Sequence, residues 1–251
     1  YVKLDIVSGK PEMIATRIRQ IPRLTDWLPE DAASRILTLV LTPITTIIYG
    51  RPDTGKSTLL NSFVDEIHSL FPWLTISIVE TVPELIVPES PNIHRTAPMM
   101  TEPVLSVSEA ISRSFRFERP GLLVLGELRG DELRSWVEVA RSGVPAITTV
   151  HSPNLKRCLS TLSSLIEAAG IPLSLTEHFK LFIEMGKLES GREVVRFVRK
   201  VYYFKDEQPV EIYGGRELSE EEFLDLVREE RCFMGEAVKL YERIKLALSK
   251  Q

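Results

Sequence analysis

Residues 45–58 read Thr-Thr-Ile-Ile-Tyr-Gly-Arg-Pro-Asp-Thr-Gly-Lys-Ser-Thr, and this stretch decides the fold class of the chain. Its first five residues are β-branched or aromatic, which is typical of a buried strand. The octet from Gly50 to Ser57 fits G-x-x-x-x-G-K-[ST], a loop that binds phosphate between a strand and a helix. Apolar residues then recur with helical spacing at Leu59, Leu60, Phe63, Val64 and Ile67. The order strand, loop, helix is the one that phosphate binding needs.

The loop predicts a site for ATP and Mg²⁺. Glycines let the backbone wrap a polyphosphate, with N–H groups and a helix N-terminus facing the oxygens. We expect Lys56 to bridge the β- and γ-phosphates, Ser57 to give its hydroxyl to Mg²⁺ and Thr58 to line the α-phosphate side. We expect Asp53, an acid in a loop for anions, to point outwards. The residues expected to bind the nucleotide are Gly50, Asp53, Thr54, Gly55, Lys56, Ser57 and Thr58.

Three more apolar runs resemble the strand before the loop. They lie at 75–79, 122–126 and 146–150. Helical patterns separate the runs, and a further helix is expected from Ala32 to Leu41. Strands that alternate with helices predict a parallel sheet with helices on both faces.

Segments outside this pattern predict smaller elements. Residues 180–185 and 194–204 flank Glu189-Ser190-Gly191 and predict an antiparallel hairpin at the sheet edge. Ser219 with Glu222 forms a capping box, from which a helical tail is expected almost to the end. Residues 1–20 suggest another hairpin around a turn at 9–11. Since the chain opens at Tyr1 in a strand-like segment, we expect it to be part of a longer protein.

Composition excludes several classes of protein. The 251 residues are 43% hydrophobic and 26% charged, which is typical of a globular chain and unlike a disordered one. The net charge of -4 argues against a protein whose main task is to neutralise nucleic acid. The longest apolar stretch is too short and too interrupted to span a bilayer. Cys158 and Cys232 lie in no metal-ligand spacing and are expected to be reduced thiols.

The ends of the other strands narrow the class of NTPase. The motif Asn-Lys-x-Asp, which recognises guanine, does not occur. No Asp-Glu pair ends the third strand as in the common AAA+ and helicase pattern. The second strand ends at Glu80, the third before Glu127 and the fourth before His151. Because parallel strands collect ligands at their carboxyl ends, we expect these side chains to meet the phosphate loop.

Taken in order, GRPDTGKST, IVETVPEL, GELRGDEL and TTVHS resemble the Walker A, Asp, Walker B and His boxes of the type II/type IV secretion ATPases. The resemblance covers roughly residues 15–205 and is greatest to archaeal members. It implies a RecA-like ATPase core that forms a ring and works on a pilus, a secretion machine or a swimming filament.

 The ring is expected to be a hexamer, seated at the inner, cytoplasmic face of the cytoplasmic membrane on a polytopic membrane platform protein.

The resemblance and the strand ends assign roles to individual side chains. Glu127 is expected to hold Mg²⁺ through water or to orient the attacking water. Glu80 is expected to act as general base with support from Glu84. His151 is expected to sense the γ-phosphate, because the resemblance places its strand between the first and third strands.

Arginines cluster on both sides of the Walker B box, at Arg113, Arg116, Arg119, Arg129 and Arg134. Since no arginine in the chain stands at a strand end where it could reach the γ-phosphate oxygens without a conformational change, we expect an arginine from a neighbouring subunit to complete the site. Arg113 and Arg116 are the candidates. The resemblance also places Arg17 and Arg19 where an N-terminal domain joins the motor.

These observations predict three regions: 1–25 as the remnant of an N-terminal domain and linker, 26–210 as the ATPase core, and 211–251 as a C-terminal helical segment. Two alternatives stay open. A DNA-translocating or DNA-packaging ATPase of a mobile element would share the core, and nucleic acid is not expected as a partner but is not excluded. A non-hydrolysing scaffold is suggested by Asp53 and by Thr81, which stands where the Asp box usually has an acid.

Overall fold

The strand before the phosphate loop lies inside an eight-stranded sheet. The computed structural model describes residues 2–4, 13–15, 21–101, 103–172, 174–190, 193–215 and 218–250. The strands of the sheet are β3 (Thr45–Gly50), β4 (Ile76–Val79), β5 (Ile93–Thr96), β6 (Leu122–Leu125), β7 (Ala146–His151), β8 (Phe179–Ser190), β9 (Glu193–Lys205) and β10 (Gln208–Tyr213). Their order is β10-β9-β8-β3-β7-β6-β4-β5. All neighbours from β8 to β5 are parallel, whereas β9 and β10 add an antiparallel extension.

Helices cover both faces of this sheet, as predicted. They are α1 (Leu24–Trp27), α2 (Glu30–Val40), α3 (Lys56–Leu70), α4 (Val107–Arg113), α5 (Leu133–Ser142), α6 (Leu155–Ala168), α7 (Leu175–His178), α8 (Glu220–Val227) and α9 (Ala237–Leu248). One apolar core joins the sheet to α2, α3 and α9, and a second joins it to α4, α5 and α6. Successive residues of β3 alternate between them: Ile48 belongs to the first core, and Ile47 and Tyr49 to the second. The strand is therefore buried on both sides.

Local sequence explains where several helices begin. Pro29 precedes α2, and Glu30 and Asp31 place negative charge in its first turn, which the helix dipole favours. Ser219 accepts a hydrogen bond from the backbone of Glu222 in the predicted capping box. These signals are local, so they could be read before the fold was known.

Three features differ from the sequence-based expectation. The edge strand β5 was missed because its sequence, Ile-His-Arg-Thr, lacks the apolar run of a buried strand. The hairpin has a third strand, β10, which pairs with β9. The tail is not one helix: a ribbon of β11 (Arg231–Cys232) and β12 (Gly235–Glu236) separates α8 from α9, with Gly235 at a φ of +95°.

The N-terminal segment agrees with the expected pairing where it is described. Strand β1 (Val2–Leu4) runs antiparallel to β2 (Met13–Ala15), while the turn at 9–11 lies outside the described residues. The division into three regions stays a prediction. Cys158 and Cys232 are both free thiols. Among the described helices, none combines the length and hydropathy needed to cross a membrane.

Candidate nucleotide-binding site

The phosphate loop connects β3 to α3. A Cβ on Gly50 would lie 2.6 Å from Oγ1 of Thr54, so no side chain fits there. The same Oγ1 donates a hydrogen bond to the Arg51 carbonyl at 2.8 Å. Gly55 caps α3 with a φ of +90°, which favours glycine. The first N–H groups of a helix lack partners within it, so the loop and the start of α3 form an anion site.

Lys56 is held at the bottom of this loop. Its side chain is buried, and Nζ donates to the Arg51 carbonyl at 3.1 Å. Nζ also lies 3.1 Å from Nδ1 of His151. Burial lowers the pKa of Lys56, while the Glu127 and Asp53 carboxylates oppose this shift. The ammonium group therefore joins the ends of β3 and β7. Ser57 and Thr58 follow in the first turn of α3.

The strand of His151 lies between the first and third predicted strands, as the resemblance implied. Register places His151 directly beside Gly50. Burial, and then the Lys56 ammonium, lower the pKa of His151 against the opposing effect of Glu127, which favours the neutral ring. A neutral ring that accepts from Lys56 at Nδ1 carries its proton on Nε2. That atom lies 3.3 Å from Oε1 of Glu127.

Glu127 follows β6 and continues this chain of contacts. Its Oε2 accepts from Nε of Arg129 at 3.0 Å and from Nη2 at 2.7 Å. Lys56, His151, Glu127 and Arg129 thus lie in sequence across the ends of three neighbouring strands. Lys56 and Arg129 lie at the two ends of this series of contacts, and their positive charges offset the negative charge of the Glu127 carboxylate.

Glu80 occupies a different environment from the one expected of a general base. It is 2% exposed, and its Oε1 accepts from the backbone N–H groups of Glu84 and Leu85, both at 3.0 Å. Its Oε2 pairs with Nη2 of Arg95 at 2.6 Å. Glu84 supports Glu80 through its main chain, and its own side chain is exposed. The base role of Glu80 stays a prediction, and this geometry gives it a second task of bracing the loop after β4.

Removing Arg95 should destabilise the protein, because the buried Glu80 carboxylate then lacks a cation. We expect Arg95→Ala to lower the free energy of unfolding by about 1–3 kcal/mol, because the Glu80 carboxylate keeps its backbone donors but loses its charged partner. Urea denaturation monitored by circular dichroism measures the change. Arg228→Ala is the matched control, since Arg228 pairs with Asp225 on the surface, where such pairs contribute under about 1 kcal/mol. Equal losses in the two variants would contradict the structural role assigned to Arg95.

A cleft of about 760 Å³ opens in front of these strand ends. Its walls include most of the predicted site residues: Asp53, Gly55, Lys56, Ser57, Thr58, Glu80, Glu84, Glu127 and His151. The further lining residues include Trp27, Arg129 and Arg196, which were not expected there. Arg129 and Arg196 of the same chain therefore line the cleft. That no arginine of the chain reaches the γ-phosphate oxygens without a conformational change stays a prediction. Arg129 was within the Walker B box, whereas no local signal marked Trp27 or Arg196.

Asp53 points out of the loop, as expected. Its φ of +60° is left-handed, a conformation that Asp tolerates better than most residues. Nη2 of Arg196 donates to Oδ1 at 2.6 Å, and Nζ of Lys187 donates to Oδ2 at 3.1 Å. These two hydrogen bonds, in that order, lower the pKa of Asp53. The charge of Asp53 is thus offset by one cation on β8 and one on β9.

The structure does not bring Arg113 and Arg116 to the cleft of their own chain. Arg113 ends α4 and lines a separate cavity of about 450 Å³ together with Arg95 and Glu118. Arg116 lies in the π-helical turn Ser114–Glu118, and both side chains are exposed. Arg17 and Arg19 lie outside the described residues. The role of Arg113 or Arg116 in the site of a neighbouring subunit stays a prediction.

The residues present fit Mg²⁺ in chemical type. Mg²⁺ takes few protein ligands, commonly a hydroxyl or a carboxylate, and completes its shell with water and phosphate. The Ser57 hydroxyl and the Glu127 carboxylate both line the cleft. Within the described parts of the chain, no cluster of three His, Cys, Asp or Glu residues forms a dedicated metal cage.

Comparison with known sequences gives two relatives. No family model matches the chain. The conjugal transfer protein TrbB of Rhizobium radiobacter is 24% identical over 218 residues, covering 83% of this chain and 66% of TrbB. The uncharacterized protein MJ1287 of Methanocaldococcus jannaschii is 27% identical over 156 residues, covering 60% of this chain and 55% of that protein.

Comparison with solved structures identifies the fold. The Legionella pneumophila ATPase DotB matches 91% of this chain with a TM-score of 0.60 and 18% identity. The VirB11 ATPase of the Brucella suis type IV secretion system matches 68% with a TM-score of 0.56 and 20% identity. The pilus retraction motor PilT with bound ADP matches 73% with a TM-score of 0.54 and 19% identity. The chain has the fold of the secretion ATPases.

This result confirms the fold that the resemblance implied, whereas the greater similarity to archaeal members stays a prediction. This chain covers only part of the length of each protein compared. The chain spans 66% of TrbB, 51% of the VirB11 chain, 58% of the DotB chain and 54% of the PilT chain.

Proposed function

We propose that this chain is the ATP-hydrolysing, Mg²⁺-dependent motor domain of a pilus, filament or type II/IV-like secretion machine. The observation that carries the proposal is the chain of contacts from Lys56 through His151 to Glu127, which lies beside the phosphate loop. The likeness to VirB11, DotB and PilT supports it, since these proteins are described as ATPases or as a motor.

Each part of the site has a distinct task in this proposal. The phosphate loop and Lys56 bind the β- and γ-phosphates. Glu127 orients the attacking water, because its carboxylate faces the cleft and its contacts are with side chains that can move. His151 lies between Lys56 and Glu127 and responds to changes at either. Bound Mg²⁺ would supply positive charge to the phosphate oxygens, held by Ser57 and Glu127.

The motor works as a homo-oligomeric ring, with six subunits as the expected number. Arg113 and Arg116 are exposed away from their own cleft, so a neighbouring subunit is where they would meet phosphate. Head-to-tail contacts of this kind form a ring when the rotation between subunits closes. The ring binds a polytopic membrane platform protein at the inner face of the cytoplasmic membrane.

Turnover measured against protein concentration tests the ring. We expect ATP hydrolysis per subunit to rise with concentration, because each site needs a neighbour. Mixing Lys56→Ala chains with Arg113→Ala/Arg116→Ala chains should restore part of the activity that each lacks, since mixed rings contain intact sites. An arginine finger contributes about 10³- to 10⁵-fold in rate, so the recovery is measurable. Flat specific activity from nanomolar to tens of micromolar protein, with no recovery on mixing, would contradict the ring mechanism.

A second candidate function is DNA translocation for a mobile element. The relative TrbB is described as a conjugal transfer protein, which favours this class over other P-loop enzymes. Addition of single-stranded or duplex DNA separates the two functions, since turnover of a translocase rises with DNA and that of a pilus or secretion motor does not. Steady hydrolysis of ATP in either case excludes the non-hydrolysing scaffold.

A further inference from the structure

The antiparallel extension of the sheet places a guanidinium group against the phosphate loop. Arg196 lies on β9, outside the motif of the phosphate loop. A Cβ built on Gly55 would lie 3.1 Å from Cδ of Arg196. Since Gly55 caps α3, the Arg196 side chain crosses the N-terminal end of that helix. Arg196 and Lys56 line the same cleft.

Asp53 fixes the position of this guanidinium group. Nη2 of Arg196 donates to Oδ1 of Asp53 at 2.6 Å, and Nε donates to the Asp53 carbonyl at 3.1 Å. The two bonds use the Nε and Nη2 donors, which lie on one side of the guanidinium group. An arginine has five N–H donors, so this geometry leaves donors for another acceptor. The side chain is 35% exposed and lines the cleft, so an anion in the cleft can reach it.

Two neighbouring cations explain how the phosphate loop tolerates the negative charge of Asp53. A carboxylate among the N–H groups of an anion site repels phosphate unless a cation offsets it. Asp53 has two such cations, Arg196 and Lys187, and Lys187 also pairs with Glu189. Arg196 is therefore the cation of this group that lines the nucleotide cleft.

We propose that Arg196 binds the nucleotide phosphates within the same chain, and that Asp53 is the positioning residue that holds it at the phosphate loop. This inference rests on the proposed function, since it assumes that the cleft binds Mg-ATP. It makes the antiparallel extension a second wall of the phosphate site. Nucleotide binding and the position of β9 are then coupled through Asp53.

The competing explanation is that Arg196 only neutralises Asp53. A double-mutant cycle separates the two, with the dissociation constant of Mg-ATP measured by isothermal titration calorimetry on the whole chain. Arg196→Ala weakens binding in both explanations. If Arg196 contacts phosphate, Asp53→Asn/Arg196→Ala should bind Mg-ATP about 10- to 100-fold more weakly than the wild-type chain, the usual effect of losing a charged hydrogen bond. Asp53→Asn alone should bind more tightly than the double variant.

Arg199→Ala is the matched control, because Arg199 lies on the same strand, carries the same charge and pairs with Glu184 instead of Asp53. It should bind Mg-ATP within about twofold of wild type, since one distant surface charge contributes little. Thermal melting without nucleotide checks that each variant is folded. An Asp53→Asn/Arg196→Ala chain that binds as tightly as wild type overturns the inference and leaves the proposed function intact. A wild-type chain that does not bind Mg-ATP overturns both.

Discussion

The Lys56→Ala chain is expected to lose most of the thermal stabilisation that Mg-ATP gives to the wild-type chain. At about a hundredfold excess over the dissociation constant, a ligand adds about 2.7 kcal/mol to the free energy of unfolding. For a domain of this size, that corresponds to a rise in Tm of roughly 5 to 10 °C. Lys56 supplies the buried cation of the loop, so its removal takes away the charge that meets the β- and γ-phosphates.

Differential scanning fluorimetry with and without millimolar Mg-ATP measures this shift. Lys56→Ala also removes two contacts, to the Arg51 carbonyl and to His151, so its Tm without nucleotide is the baseline for comparison. Lys156→Ala is the matched control, because Lys156 is an exposed residue of α6. The control should keep the full shift. Equal shifts in wild type and Lys56→Ala would remove the phosphate loop from the nucleotide site.

Glu127→Gln is expected to separate binding from hydrolysis. The amide keeps the shape of the side chain and one acceptor oxygen but loses the negative charge. Nucleotide should still bind, because the loop and Lys56 are unchanged, whereas turnover should fall by about 10² or more. Glu80→Gln should have a similar but smaller effect on turnover, since the Glu80 carboxylate is already held by Arg95.

Steady-state release of phosphate gives turnover, and calorimetry gives the affinity for Mg-ATP. Glu138→Gln is the matched control: it makes the same change of charge at an exposed position of α5. The control should hydrolyse ATP at the wild-type rate. An unchanged kcat in Glu127→Gln would show that this carboxylate takes no part in the chemistry.

The sequence predicts those side chains of the site that lie at the carboxyl ends of strands. Glu127 follows a buried apolar strand and His151 is the last residue of another, and parallel pairing brings such ends to one edge. The partners of these groups could not be found in the same way. Arg95 lies on an edge strand without an apolar pattern, and it reaches Glu80 only because β5 pairs with β4. No rule of local spacing connects residues that meet through strand pairing.

The sequence by itself determined the phosphate loop, the parallel sheet with two helical layers and the acids at the strand ends. These features depend on short-range patterns: the period of apolar residues, the glycines of the loop and the capping residues. Only the tertiary structure decided which charges meet. Asp53 and Arg196 are 143 residues apart in the chain, and they pair because the antiparallel extension folds back over the loop. The energy of an ion pair depends on distance in space, which the order of residues does not contain.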